Sequence, residues 1–171
     1  VLARRGIRIE TGRAVARVER DAVTLASGER LPADVTAWVT GAAPPGVVAA
    51  SPLPKDARGF FAVDATLRAA DGVPVWGAGD CVGLAGHAAL PKAGVYAVRA
   101  APILARNLRA ALAGGPAAPY VPQSTFLALL NTADGRALLR WHGLACHGRW
   151  AWWLKDRIDR RFVQRYQRIS A

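Results

Sequence analysis

Methionine is absent from this 171-residue chain, and it holds only two cysteines and three histidines. Cys81 and Cys146 lie far apart with no metal-ligand spacing, so neither a disulfide framework nor a zinc site finds support. Two thiols in a chain of this size fit a reducing compartment. His142 and His147 are five apart around a glycine-rich bend with no third ligand in view, which argues against a metal there. No run of eighteen residues is free of charge, proline and glycine in the way a spanning helix would be, and no charged-then-apolar leader opens the chain. A cytoplasmic protein, or one lying on the inner face of a membrane, is the expectation. With no methionine at its start, and with "VLARRGIRIETG" already reading as a helix end that runs through Gly6 into a short strand, the chain is expected to be a piece of a longer protein.

What is present is a packed globular composition. Hydrophobic residues make up 52%, enough for one sizeable core or two small ones and too many for disorder. The net charge of +11 invites a nucleic-acid reading, but its distribution tempers that. Residues 1–60 carry +3, residues 61–120 carry +2 and residues 121–171 carry +6, so over half of the excess belongs to the tail. Nucleic acid is not the expected partner.

Three zones follow one another. In the first, "AVARVERDAVTLASGERLPA" reads as a hairpin with Val15 and Val18 facing Val23 and Leu25 across a bend at Arg20-Asp21. "VTAWVTG" reads as a strand ending in a small-residue turn at Thr40-Gly41.

The second zone holds "GFFAVDATLR" and "VPVWGAGDC". The latter is an apolar run that ends in small residues and one carboxylate, and it reads as a strand buried on both faces over Val73–Trp76. In open parallel sheets, ligands sit beyond the carboxyl ends of strands, where a carboxylate can accept from sugar hydroxyls and glycine admits close approach. Gly79-Asp80 therefore points to a nucleotide-like ligand, or alternatively to a plain turn with Asp80 as a local cap. Cys81 beside it reads as an apolar filler rather than a redox thiol, and His87 follows in the loop. "LPKAGVYAVRAAPILARNLRAAL" is a helix with Pro91 in its first turn, and with Val95, Val98, Leu104, Leu108 and Leu112 on its apolar face. Pro102 is expected to kink or split it, and Gly114-Gly115-Pro116 to end it.

The third zone, "STFLALLNTADGRALLRWHGLACHG", reads as two strands joined through Asp134-Gly135, followed by a terminal helix over "RWAWWLKDRIDRRFVQRYQRI". Trp150, Leu154, Ile158, Phe162 and Tyr166 recur every four residues, beside Arg157, Arg160, Arg161, Arg165 and Arg168. Either this seam packs on the hairpin, or residues 150–171 lie on an anionic membrane surface.

"TAWVTGAAPP", "GFFAVDATLR", "VWGAGDC" and "PKAGVYAVRAAPILARNL", in this order and spacing, resemble the C-terminal half of the pyridine nucleotide-disulfide oxidoreductase superfamily. Within it, the chain is similar to the type II NADH dehydrogenase and sulfide:quinone oxidoreductase branch. "WWLKDRIDRRF" resembles the module that some bacteria fuse ahead of selenide, water dikinase.

The resemblance implies an α/β chain: part of a two-domain, Rossmann-like FAD/NAD(P)-binding fold with a small C-terminal hairpin-plus-helix domain. Residues 1–48 would be the back of the NAD(P)-binding domain, 49–115 the C-terminal part of the FAD-binding domain and 116–171 the small domain. It implies FAD as cofactor, NAD(P)H as cosubstrate and a quinone or other electron acceptor. Thr40 and Gly41 match the turn where the nicotinamide domain returns the chain to the flavin domain. Gly79 and Asp80 match the turn whose aspartate binds the ribityl chain. Pro91, Lys92, Ala93, Gly94 and Val95 match the turn and helix start facing the flavin's pyrimidine edge.

Departures matter too. Neither glycine-rich phosphate fingerprint of the family occurs here. No glutamate follows Glu29, so the His–Glu couple of the disulfide reductases has no counterpart. Quinone-reducing relatives carry a glutamine-containing element at the helix start, where this chain has "KAGVYAV". Lys92 and Tyr96 occupy that neighbourhood, Lys92 as a contact to the flavin edge or acceptor or as a solvated lysine. The competing class is a noncatalytic module that binds a membrane or fused partner through its last helix.

Overall fold

The computed structural model describes residues 2–167, which divide into two compact units, the first ending at Gly41 and the second starting at Ala42. In the first, a 3-10 turn over Ala3–Arg5 ends at Gly6, whose φ of 70° takes the left-handed conformation that glycine adopts without penalty. The strand expected after it does not form, and Ile7 and Ile9 are exposed.

The expected hairpin does form. Strands β1 (Val15–Val18) and β2 (Ala22–Leu25) pair Val18 with Val23 and Val15 with Leu25, and β3 (Arg30–Pro32) adds a third antiparallel strand. Ala22 and Leu25 supply this sheet's buried side chains. Arg30 bridges Glu19 and Asp21 at its surface, where ion pairs contribute little.

The expected strand at "VTAWVTG" is absent. Residues 33–41 are irregular, with Val35 89% and Val39 91% exposed, because no described residue offers this segment a hydrogen-bonding ladder.

The second unit starts with a short helix, α1 (Gly46–Ala50), and is built on the parallel pair β4 (Phe61–Val63) and β5 (Val82–Leu84), in register Phe61 to Val82 and Val63 to Leu84. Their side chains form one core with Val48, Leu67, Ala69, Ala100 and Tyr120. The strand thus lies after Asp80 rather than before it. Val73–Trp76 is half-exposed irregular chain joined to the Leu67–Ala69 segment by one antiparallel bridge, Arg68 to Trp76, with the Arg68 side chain donating to the Val73 carbonyl at 3.3 Å and its guanidinium 5.5 Å from the Trp76 ring centroid, and Val73 faces solvent. An apolar run becomes a buried strand only when a ladder extends along it, and here the pairing is limited to that one bridge, with the Ala69 N–H donating to the Val75 carbonyl at 2.8 Å and the Gly77 N–H to the Leu67 carbonyl at 3.0 Å.

Helix α2 (Gly94–Leu112) covers the pair. It passes unbroken through Pro102, which sits on the exposed side, where the carbonyl left without a partner can reach water. The core-facing side chains are Tyr96, Ala100 and Asn107, with Ile103 and Leu104 beside them. Val98, Leu108 and Leu112 face outward instead, which corrects the expected apolar face.

Asn107 is 1% exposed and fully used: its amide donates to the carbonyls of Thr66 and Ala118 and accepts from the N–H of Ala118, each at 2.8 Å. The helix ends as expected. Gly114 is left-handed, and the Gly115 N–H returns to the Ala110 carbonyl at 2.8 Å.

Strands β6 (Ala128–Asn131), β7 (Ala137–Trp141) and β8 (Leu144–Gly148) form an antiparallel meander. The first turn runs through Asp134-Gly135 as expected. The second is a two-residue turn at His142-Gly143, both with positive φ, which adds a strand that the sequence reading left in a bend. Helix α3 (Arg149–Gln167) packs on this sheet through Ala151, Trp152 and Leu154 against Leu129, Ala137, Leu139 and Cys146. The rest of the anticipated seam does not dock: Trp150, Ile158, Phe162 and Tyr166 are exposed. Arg168 lies outside the described residues.

Candidate functional site

The site grows from a turn at the start of the core. One Asp56 carboxylate oxygen accepts from the N–H groups of Arg58 and Phe60, both at 2.9 Å, folding the chain back so that the Phe60 ring is buried. Glycine is required opposite this carboxylate, because a Cβ on Gly83 would overlap it. Gly77 is likewise needed for packing, since a Cβ there would lie 2.7 Å from Val82 and 2.8 Å from Phe61.

Two cations cover Phe60. The Arg58 guanidinium lies 5.1 Å from the ring centroid and the Lys92 ammonium 3.9 Å. Lys92 also donates to the Val82 carbonyl. Burial pushes its pKa below the ordinary lysine value, the charge of Arg58 adds to this, and the carboxylates of Asp56 and Asp80 oppose it. Lys92 is therefore a fixed, half-buried cation, and the solvated reading is corrected.

Beyond β4, Gly79 takes a φ of 88° and its carbonyl accepts from the Val82 N–H at 3.4 Å. Asp80 sits exposed at the tip of this turn and accepts no hydrogen bond from any described residue, so it is not a local cap. Cys81 packs against the core with its thiol 3.4 Å from the Ala78 carbonyl, as a filler would.

Gly79, Asp80, Pro91 and Lys92 line one small cavity, open to solvent, together with His87, Tyr96 and Tyr120. The Tyr120 hydroxyl donates to the Tyr96 carbonyl at 3.2 Å, and burial raises its pKa.

Pro91 is not in the helix's first turn. Helix α2 begins three residues later, with Ala93 as an extended N-cap that offers no side-chain acceptor. Its first N–H groups are left without a side-chain cap, at the positive end of a 19-residue helix. Gly94 is exposed and a Cβ there would meet nothing, while Val95 is half-buried. Thr40 and Gly41 close the first compact unit, both exposed.

Asp56, Arg58, Phe60 and Tyr120 were missed by sequence reasoning. "KDARGFF" does carry a signal, an aspartate followed by a glycine turn. Tyr120 has none, because it reaches the cavity from the chain beyond α2.

The family described as pyridine nucleotide-disulphide oxidoreductase matches residues 1–102. The chain belongs to this family. The oxidoreductase match ends inside α2, so the hairpin sheet and α3 lie beyond it. Among solved structures, the fold is similar to that of the sulfide:quinone oxidoreductase from the hyperthermophilic bacterium Aquifex aeolicus, with a TM-score of 0.67 and 18% identity. That likeness covers 95% of this chain and 42% of the other, so the chain spans well under half the length of that relative. No curated protein matches it by sequence.

Proposed function

We propose that this chain is the C-terminal half of an FAD-dependent NAD(P)H oxidoreductase of the NADH dehydrogenase-like branch, passing electrons to a quinone or other acceptor. The carrying observation is the cavity shared by the Gly79-Asp80 turn and Lys92, set just before the uncapped start of α2. In this reading residues 1–48, 49–115 and 116–171 are the back of the NAD(P)-binding domain, the end of the FAD-binding domain and the small terminal domain. The similarity to a protein named as a quinone oxidoreductase supports the acceptor class.

The residues present fit FAD. Asp80 is an acceptor with no hydrogen-bond donor among the described residues, suited to ribityl hydroxyls, and the open α2 terminus offers N–H groups to an electron-rich ring edge. Bound FAD would supply hydride and electron transfer. The chain's own contribution is electrostatic: the helix terminus and Lys92 favour negative charge in the cavity, and Gly79 lets the backbone approach the ligand closely. Thr40 and Gly41 would be the turn where the nicotinamide-binding domain returns the chain to the flavin domain. The likeness of "WWLKDRIDRRF" makes a fused selenide, water dikinase domain part of the proposal.

Purified with the segments that complete both dinucleotide domains, the protein should carry stoichiometric FAD and oxidise NADH or NADPH with a soluble quinone. A complete protein that folds without flavin would favour the noncatalytic binding module, a reading to which the undocked half of α3 lends support.

A further inference from the structure

An open groove adjoins the cavity and shares His87, Leu90, Pro91 and Tyr96 with it, while Gln123 and Ser124 complete its lining. The Gln123 amide nitrogen is buried and has no hydrogen-bond partner among the described residues. A buried donor is rarely left unmet in a folded chain, and a ligand carbonyl would meet this one.

His87 stands where cavity and groove meet. Its backbone is fixed, since its N–H donates to the Leu84 carbonyl at 3.0 Å and its carbonyl accepts from the Leu90 N–H at 2.9 Å. The residue is exposed, and its ring hydrogen-bonds no described residue. The other titratable groups are engaged or confined to the cavity. Asp56 holds its own turn, and Arg58 and Lys92 lie on the Phe60 ring. Asp80 lines the cavity alone, Tyr96 is buried edge-on to Phe126 with centroids 5.7 Å apart, and the Tyr120 hydroxyl donates to the Tyr96 carbonyl. Imidazole is the side-chain type that exchanges protons near neutrality, and the groove holds one.

We propose that His87 donates a proton to the carbonyl oxygen of a quinone seated in this groove, with the Gln123 amide hydrogen-bonding a carbonyl of the same ring. This rests on the flavoprotein reading and adds to it the acceptor's place and its proton source. Reduction of a quinone to a hydroquinone takes two electrons and two protons. A hydride equivalent from NAD(P)H, relayed through the flavin, supplies both electrons and one proton. The second proton leaves the His87 imidazolium: the carbonyl π bond breaks, an O–H bond forms, and the neutral imidazole is reprotonated from solvent.

Duroquinone, whose fully methylated ring resists addition by thiols and amines, is the probe. In the full chain it should shift the His87 ring resonances, identified by their absence in His87→Gln, and Gln123→Leu should weaken this binding about five-fold. In the complete flavin-loaded protein, His87→Gln should lower the ratio of duroquinone to ferricyanide reduction about a hundred-fold, because ferricyanide takes electrons without protons. Added imidazole should restore part of the loss in His87→Ala. Resonances that do not move, or an unchanged ratio while ferricyanide is still reduced, would overturn the proposal. Wild-type protein that reduces neither acceptor would overturn the flavoprotein reading, and this step with it.

Discussion

The Lys92 ammonium rests 3.9 Å from the centroid of the Phe60 ring, joining the approach to α2 with the turn that Asp56 folds. One side chain thereby fixes the cavity wall and places a positive charge in it. Lys92→Met should keep most of the apolar cover on Phe60, while Lys92→Ala removes both cover and charge. Urea unfolding should show the alanine variant as the less stable, by about 1 kcal/mol or more relative to methionine.

Alkaline titration separates two opposing groups. Burial lowers the pKa of Lys92, so in the window just below about 10.4 the folded chain gives up this proton before the unfolded one, and stability gains with rising pH. Tyr120 is raised, so above about 10 the unfolded chain ionises first and stability is lost. Tyr120→Phe should blunt the alkaline loss and Lys92→Met should steepen it. Melting temperatures across this range check both signs.

Asn107 should be among the most sensitive positions of the second unit. Asn107→Leu strands the Thr66 and Ala118 carbonyls and the Ala118 N–H, an expected cost of about 3 kcal/mol. Asn107→Asp should cost more, since a carboxylate cannot donate to two carbonyls. Denaturant midpoints at constant m-value measure both.

Gly83→Ala should destabilise the chain by about 2 kcal/mol, because the new Cβ overlaps the Asp56 carboxylate and opens the turn holding Arg58 and Phe60. Adding Asp56→Ser should recover part of that loss; a double variant no better than additive would show that the clash lies elsewhere.

Both hairpin turns that carry strong local chemistry were marked in the sequence, Arg20-Asp21 and Asp134-Gly135, as was the glycine stop of α2. Each is decided within a few residues. Long-range pairing was harder to see. "VPVWG" and "VTAWVTG" have the composition of strands, but a strand exists only where another backbone runs alongside it, and "VPVWG" meets the Leu67–Ala69 segment at a single bridge. The inner face of α2 was misread because it contains a polar residue, Asn107, while several of its valines and leucines face outward. At the site, Asp80 and Lys92 stood out by sequence. Phe60 and Tyr120 did not, since packing across the fold brings them to the cavity.

The central claim is that Asp80 is held ready for a ligand rather than for the fold. The decisive measurement is FAD dissociation from the complete protein, wild type against Asp80→Ala, alongside thermal stability of this chain with the same substitution. Flavin retention should be at least about ten-fold weaker in Asp80→Ala, from the loss of one or two hydrogen bonds to a charged acceptor, with chain stability unchanged. Equal flavin retention in both proteins would contradict it.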